Sequence, residues 1–205
     1  MDILIRQIRN CKECLPHLKD GVNPIIAASS KSKIIIIGQA PGRIVHTTNI
    51  PWNDKSGDNL RNWLGINKPT FYNTDQIALM PMGFCYPGKG NTGDLPPRPE
   101  CAPLWHNKLL AMMTNAELIL LIGNYAQHYY LKDKAKNTLT ETVHNFRLYL
   151  PKYFPLPHPS PRNNIWQAKN EWFGKEILPE LKKKKFSLTT LTRNHINLNQ
   201  TTHHN

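Results

Sequence analysis

Four short apolar runs punctuate an otherwise polar chain. They are KIIIIG (Lys33–Gly38), QIALMPM (Gln76–Met82), AELILLIG (Ala116–Gly123) and FRLYLP (Phe146–Pro151). Each is a mainly apolar run rather than a strict alternation, which predicts strands buried on both faces of a sheet. Between them lie stretches with helical spacing. Ser56–Gly65 places Leu60, Trp63 and Leu64 on one face, with Ser56 as the expected N-cap. Pro103–Thr114 and Asn124–Leu131 read as helices, and Gln167–Leu181 as a closing helix carrying Trp172, Ile177 and Leu178. Strands alternating with helices predict an α/β fold. The expected architecture is a three-layer sandwich with a central four-stranded parallel sheet flanked by helices.

In such sheets ligands bind outside the carboxyl ends of the strands. The loops expected there after the first and fourth strands are GQAPG (38–42) and HPSPRNN (158–164). The second belongs to PLPHPSPRNN, whose prolines exclude a helix interior or a central strand and stiffen the backbone around His158. Taken alone it reads equally well as a surface turn. Its place opposite GQAPG makes it a candidate site. GQAPG lacks the G-x-G-x-x-G spacing and no G-K-[ST] follows, so neither nucleotide fingerprint applies.

The 205 residues suffice for one sizeable domain. No apolar run approaches the roughly 18–20 residues of a membrane span. MDILIRQIRNCKEC shows neither a signal-peptide core nor a cleavage site, so a soluble cytoplasmic protein is expected. The net charge is +12, and residues 182–205 contribute five positive charges and no acids. A basic excess of about +7 therefore remains on residues 1–181 and suits a polyanion such as nucleic acid. Residues 1–181 are expected to form the domain and 182–205 a disordered basic polar tail, with the apolar content fading after Lys185.

Cys11 and Cys14 form a C-x2-C pair, while Cys85 and Cys101 stand far downstream. Without an export signal, disulfides are not expected. Four thiolates suit zinc or an iron–sulfur cluster. Zinc ribbons usually show two close pairs, so the wide second spacing favours a cluster. Four unrelated buried cysteines are the plain alternative.

In order along roughly residues 8–180, these features resemble the uracil-DNA glycosylase superfamily, and most closely its iron–sulfur branch, family 4. The resemblance rests on the cysteine pair, GQAPG where the branch has GEAPG, Pro51-Trp52 and Ser56-Gly57 where it has Pro-Phe and Ala-Gly, Cys85, PPRPEC ending at Cys101, and His158-Pro159-Ser160. It implies a four-stranded parallel sheet and a mainly structural 4Fe-4S cluster on Cys11, Cys14, Cys85 and Cys101. It also implies a monomer that flips a damaged base out of single- or double-stranded DNA and removes it hydrolytically, as in base excision repair. No lysine in the motif loops suggests a Schiff base, so a monofunctional enzyme is expected.

By the same resemblance His158 donates to the carbonyl oxygen of the departing base, and Trp52 takes the place of the stacking Phe. Gly38, Gln39 and Ala40 would bring backbone amides to the base or the water. Ser160, Arg162 and Asn163 would address DNA, with Arg162 probing the vacated stack. Asn163 and Asn164 read equally as helix caps.

Two departures stand out. The acids of the GEAPG segment are replaced by Gln39 and Val45-His46. Gln can orient water but cannot take its proton, which leaves His46, then Asp54, then Asp58 as candidate bases. Where the branch has a base-reading Asn, this chain has Met80-Pro81; backbone groups, or Asn124 after the third strand, are the candidate substitutes. The expected substrate is therefore uracil, a deaminated purine or another lesion. The alternatives are a non-catalytic iron–sulfur DNA-binding protein of the same fold, or a zinc-stabilised fold without a nucleic-acid role.

Overall fold

The structure is a computed structural model and describes residues 1–185. Its strands are β1 (Ile34–Ile37), β2 (Ile77–Leu79), β3 (Leu118–Ile122) and β4 (Tyr153–Leu156). The helices are α1 (Asp2–Arg9), α2 (Arg43–Thr48), α3 (Lys55–Leu64), α4 (Lys68–Phe71), α5 (Cys101–Met112), α6 (Asn124–Leu131), α7 (Leu139–His144), α8 (Asn164–Lys169) and α9 (171–185). All strand pairs are parallel, in the order β2-β1-β3-β4.

Both faces of the sheet are covered, which is why the strands read as unbroken apolar runs. Ile35, Ile37, Ala78, Ile119 and Leu121 pack against α1, α5 and α6. Ile34, Ile36, Leu79, Leu120, Ile122 and Phe154 pack with Leu60, Trp63, Phe71, Val143, Phe173 and Ile177 on the other side. The three-layer sandwich expected from the pattern is the observed fold.

The fourth strand lies elsewhere than expected. Phe146–Tyr149 forms a 3-10 turn, and its apolarity serves to bury Phe146 and Tyr149. The strand itself runs through Pro155, in the stretch read above as loop. The carbonyls of Lys152 and Leu156 accept from Ile119 and Gly123, so the residues between point the other way at every second position. Pro155 thus sits on an edge strand with its missing N–H facing outward, where proline is tolerated.

Three helix expectations also change. Asp54, not Ser56, caps α3: its carboxylate accepts from the Gly57 amide at 2.8 Å. The closing helix is two helices, α8 and α9, parted at Asn170. Residues 182–185, grouped with the tail above, continue α9, and Lys185 is buried. The rest of the expected tail, 186–205, lies outside the described residues.

His106 on α5 is wholly buried. Its Nε2 donates to the Pro81 carbonyl at 3.1 Å, and its Nδ1 accepts from the Tyr130 hydroxyl at 2.6 Å. Burial holds its pKa down to about 4. Below the ordinary histidine pKa of about 6.5 the unfolded chain binds a proton that the folded chain refuses. Stability from this residue is therefore complete above about pH 6.5 and drains as pH falls towards 4, by about 3 kcal/mol in all. Urea midpoints measured between pH 7 and 4 should show this slope, and His106→Gln should flatten it. Equal slopes in the two proteins would refute the assignment.

Candidate active site

The order of the strands puts a switch point between β1 and β3, beside which loops diverge and leave a crevice. A cleft of about 760 Å³ opens there. Gly38, Gln39 and Ala40 enter it from the loop after β1, and Trp52 and Asp54 from the approach to α3. His158, Ser160, Arg162 and Asn163 follow β4, and Pro81, Tyr86, Lys89 and Asp94 follow β2.

Trp52 carries the most constrained backbone in the cleft, with φ at 57° in the left-handed region. Its carbonyl accepts from the guanidinium of buried Arg61 at 3.3 Å, and the Tyr72 hydroxyl donates to the Pro51 carbonyl at 2.9 Å. Arg61 in turn pairs with Asp58 at 2.7 Å, which accounts for that acid without a role in water handling. Two glycines make room for Trp52. A Cβ on Gly57 would lie 1.8 Å from its carbonyl oxygen, and one on Gly38 would lie 2.7 Å from its ring. Gly38 is thus required by the tryptophan itself. Gly42 is under no such demand, since a Cβ there would meet only Asp94 at 3.5 Å.

The ring of His158 lies 5.9 Å from that of Trp52, tilted by 31°. Its loop is braced from both sides: Asn163 donates to the His158 carbonyl at 2.7 Å, and Asn59 to the Pro159 carbonyl at 2.9 Å. Ser160 accepts from the Arg162 amide. Asn163 and Ser160 therefore shape the loop. Burial lowers the His158 pKa, while the negative charges of Asp54 and Asp94 pull it back up. Near pH 7 the side chain is a neutral imidazole, able to donate one N–H without carrying charge.

Arg162 spans the cleft and donates to the Thr92 carbonyl at 3.3 Å. Asn124 stands apart from the cleft. It lines an adjoining recess of about 260 Å³ with Tyr125, Leu139 and Trp166, which shares Gln39, His158 and Asn163 with the main cavity. His46 is not among the residues lining the cleft. On α2 it is Arg43 and Val45 that line the cleft, while the His46 ring packs against Tyr86 at 5.7 Å. Its Nδ1 is buried without a hydrogen-bond partner among the described residues. Tyr86 and Asp94 were missed in the sequence. The only signal was an acid in the glycine-rich KGNTGD stretch between two cysteines.

At the end of β2 the polar backbone is already engaged. The amides of Met80 and Met82 donate to Ile36 and Gly38, Pro81 has no N–H, and its carbonyl accepts from His106. Ile25, Leu79 and Pro81 leave this side of the cleft apolar.

Cys11, Cys14, Cys85 and Cys101 line one small void away from the cleft. Burial raises the thiol pKa of Cys85 to about 11 and of Cys101 to about 12, and raises that of Cys14. Thiols so buried ionise only against a compensating cation, so this donor set suits a metal group. Among the described residues, no three His, Cys, Asp or Glu converge on a point where one metal ion would sit.

A family model described as the uracil DNA glycosylase superfamily matches residues 26–182. The chain belongs to that superfamily. The match spans all four strands and the cleft-lining loops that follow β1, β2 and β4. Cys11 and Cys14 precede it. Members of the uracil DNA glycosylase superfamily are generally glycosylase hydrolases that act on DNA. Among the described residues, no helix is long and apolar enough to cross a membrane.

Proposed function

We propose that this superfamily member is a monofunctional DNA glycosylase that hydrolytically releases uracil or a related deaminated base. The observation that carries the reading is the pairing of Trp52 with a neutral, braced His158 in one cleft at the carboxyl ends of β1 and β4. Breaking a base–sugar bond leaves negative charge on the departing base and positive charge on the sugar. A fixed imidazole N–H at the base oxygen stabilises the first without reorganisation. Trp52 offers a π face to a flipped base. Arg43, Lys89 and Arg162 at the rim supply positive charge for phosphates.

No amide reads the base at the end of β2, so selection there rests on shape and stacking. Sites that rely on fit rather than hydrogen bonds discriminate only about 10–200-fold. Base release should be measured on single- and double-stranded oligonucleotides bearing uracil, hypoxanthine or xanthine, with alkali cleavage of the abasic product. Release from more than one base, with kcat/KM values within about 10²-fold of each other, is expected. DNA binding without release of any base would favour the non-catalytic alternative.

Cys11, Cys14, Cys85 and Cys101 would hold a 4Fe-4S cluster. Its part would be structural: it would tie the segment after α1 to the loop after β2 and to the start of α5. Protein purified without oxygen should be brown and contain iron and sulfide, and Cys101→Ser should lose both and melt at lower temperature. Zinc in place of iron would overturn the cluster and leave the glycosylase reading standing.

A further inference from the structure

With Gln39 in the first loop and His46 outside the cleft, hydrolysis still needs a group to take the proton of water. The described part of the cleft presents two carboxylates, Asp54 and Asp94. Asp54 gives one oxygen, Oδ1, to the Gly57 amide at the start of α3. Asp94 is placed differently. Its Oδ1 accepts from the Tyr86 hydroxyl at 3.4 Å, and Tyr86 is itself buried. Its Oδ2 faces the GQAPG loop, 3.5 Å from the position a Cβ would take on Gly42. A carboxylate from another loop thus faces the GQAPG segment at Gly42.

That loop is held in shape. The Gly90 amide donates to the Gly93 carbonyl at 2.7 Å and the Leu95 amide to the Gly88 carbonyl at 2.9 Å. Arg162 reaches over from the His158 loop to the Thr92 carbonyl. The negative charges of Asp54 and, after it, of Asp94 are both felt at His158, so Asp94 shares one electrostatic environment with the imidazole. Carboxylate and imidazole come from loops after β2 and β4, the two edge strands, and line the same cleft.

We propose that Asp94 is the general base that orients and deprotonates the attacking water, an inference that rests on the glycosylase reading above. The water oxygen forms the bond to the anomeric carbon of the sugar, and its proton passes to the Asp94 carboxylate. The bond from that carbon to the base nitrogen breaks, and its electron pair leaves with the base. His158 holds the base anion by hydrogen bond until it takes a proton from solvent, and Asp94 returns its own proton to solvent. Tyr86 fixes the carboxylate and leaves one oxygen for the water.

The test is single-turnover base release by the full chain on an oligonucleotide bearing the best base from the assay above. Loss of a general base costs about 10²–10⁴-fold. Asp94→Asn keeps the shape and the Tyr86 partner and should lose about that factor, while DNA affinity and melting temperature stay near those of wild type. Asp94→Ala should recover at least tenfold with added formate, which can enter the vacated space and accept the proton. Asp94→Asn releasing base within threefold of wild type would overturn this inference and leave the glycosylase standing. Failure of formate to restore Asp94→Ala would reduce Asp94 to a structural residue. No release by wild type on any base would overturn both.

Discussion

His158→Ala is expected to slow base release by about 10²–10³-fold, the usual cost of removing one preorganised donor from a developing anion. The loss should fall on the chemical step and leave DNA affinity nearly unchanged. On the proposed reading the imidazole would meet the base only after flipping, whereas Arg43, Lys89 and Arg162, which line the same cleft, would meet the backbone beforehand. The pH dependence gives a second handle. Burial lowers the His158 pKa, so its neutral form extends to lower pH than that of an ordinary histidine, whose pKa is about 6.5. Single-turnover rates limited by this donor should fall with a midpoint below that value. A decline centred on pH 6.5 would mean that His158 is solvated, and a His158→Ala rate within threefold of wild type would remove it from the chemistry.

The parts of this fold that could be read in sequence are those where one physical cause dominates. KIIIIG and AELILLIG are strands because both of their faces are buried, and no other use competes for such residues. FRLYLP is also rich in apolar residues, but it is broken by Arg147 and a single 3-10 turn suffices to bury Phe146 and Tyr149. The strand then uses a proline that only an edge position tolerates, and edge position is a property of the assembled sheet. Loops behave in the same way. GQAPG and HPSP could be placed on one face because parallel strands share a direction. Closeness along the chain misled for His46: one helical position separates it from Val45, and that rotation turns it out of the cleft. Asp94 could not have been found by spacing. It reaches Gly42 from more than fifty residues downstream, across the β1–β2 edge of the sheet.

Gly57→Ala is the substitution expected to do the most structural harm for one methyl group. An alanine Cβ would sit 1.8 Å from the Trp52 carbonyl oxygen and 2.7 Å from its carbonyl carbon, and backbone cannot swing aside as a side chain can. Either α3 moves away or Trp52 leaves its left-handed conformation. Both outcomes break the hydrogen bond from Arg61 to the Trp52 carbonyl and disturb the start of the helix, where Asp54 accepts from this same residue's amide. Overpacking of this kind costs typically 1–3 kcal/mol and at times more. In a chain of this size about 3 kcal/mol lowers the melting temperature by roughly 6–12 °C. Base release should fall further than stability alone requires, because the displaced residue is the one proposed to stack on the base. Gly174→Ala is the contrasting variant: its Cβ would meet nothing within 4 Å, so melting temperature should hold or rise. If Gly57→Ala melted and reacted like wild type, Trp52 would have room to relax, and its strained backbone would have no bearing on the site.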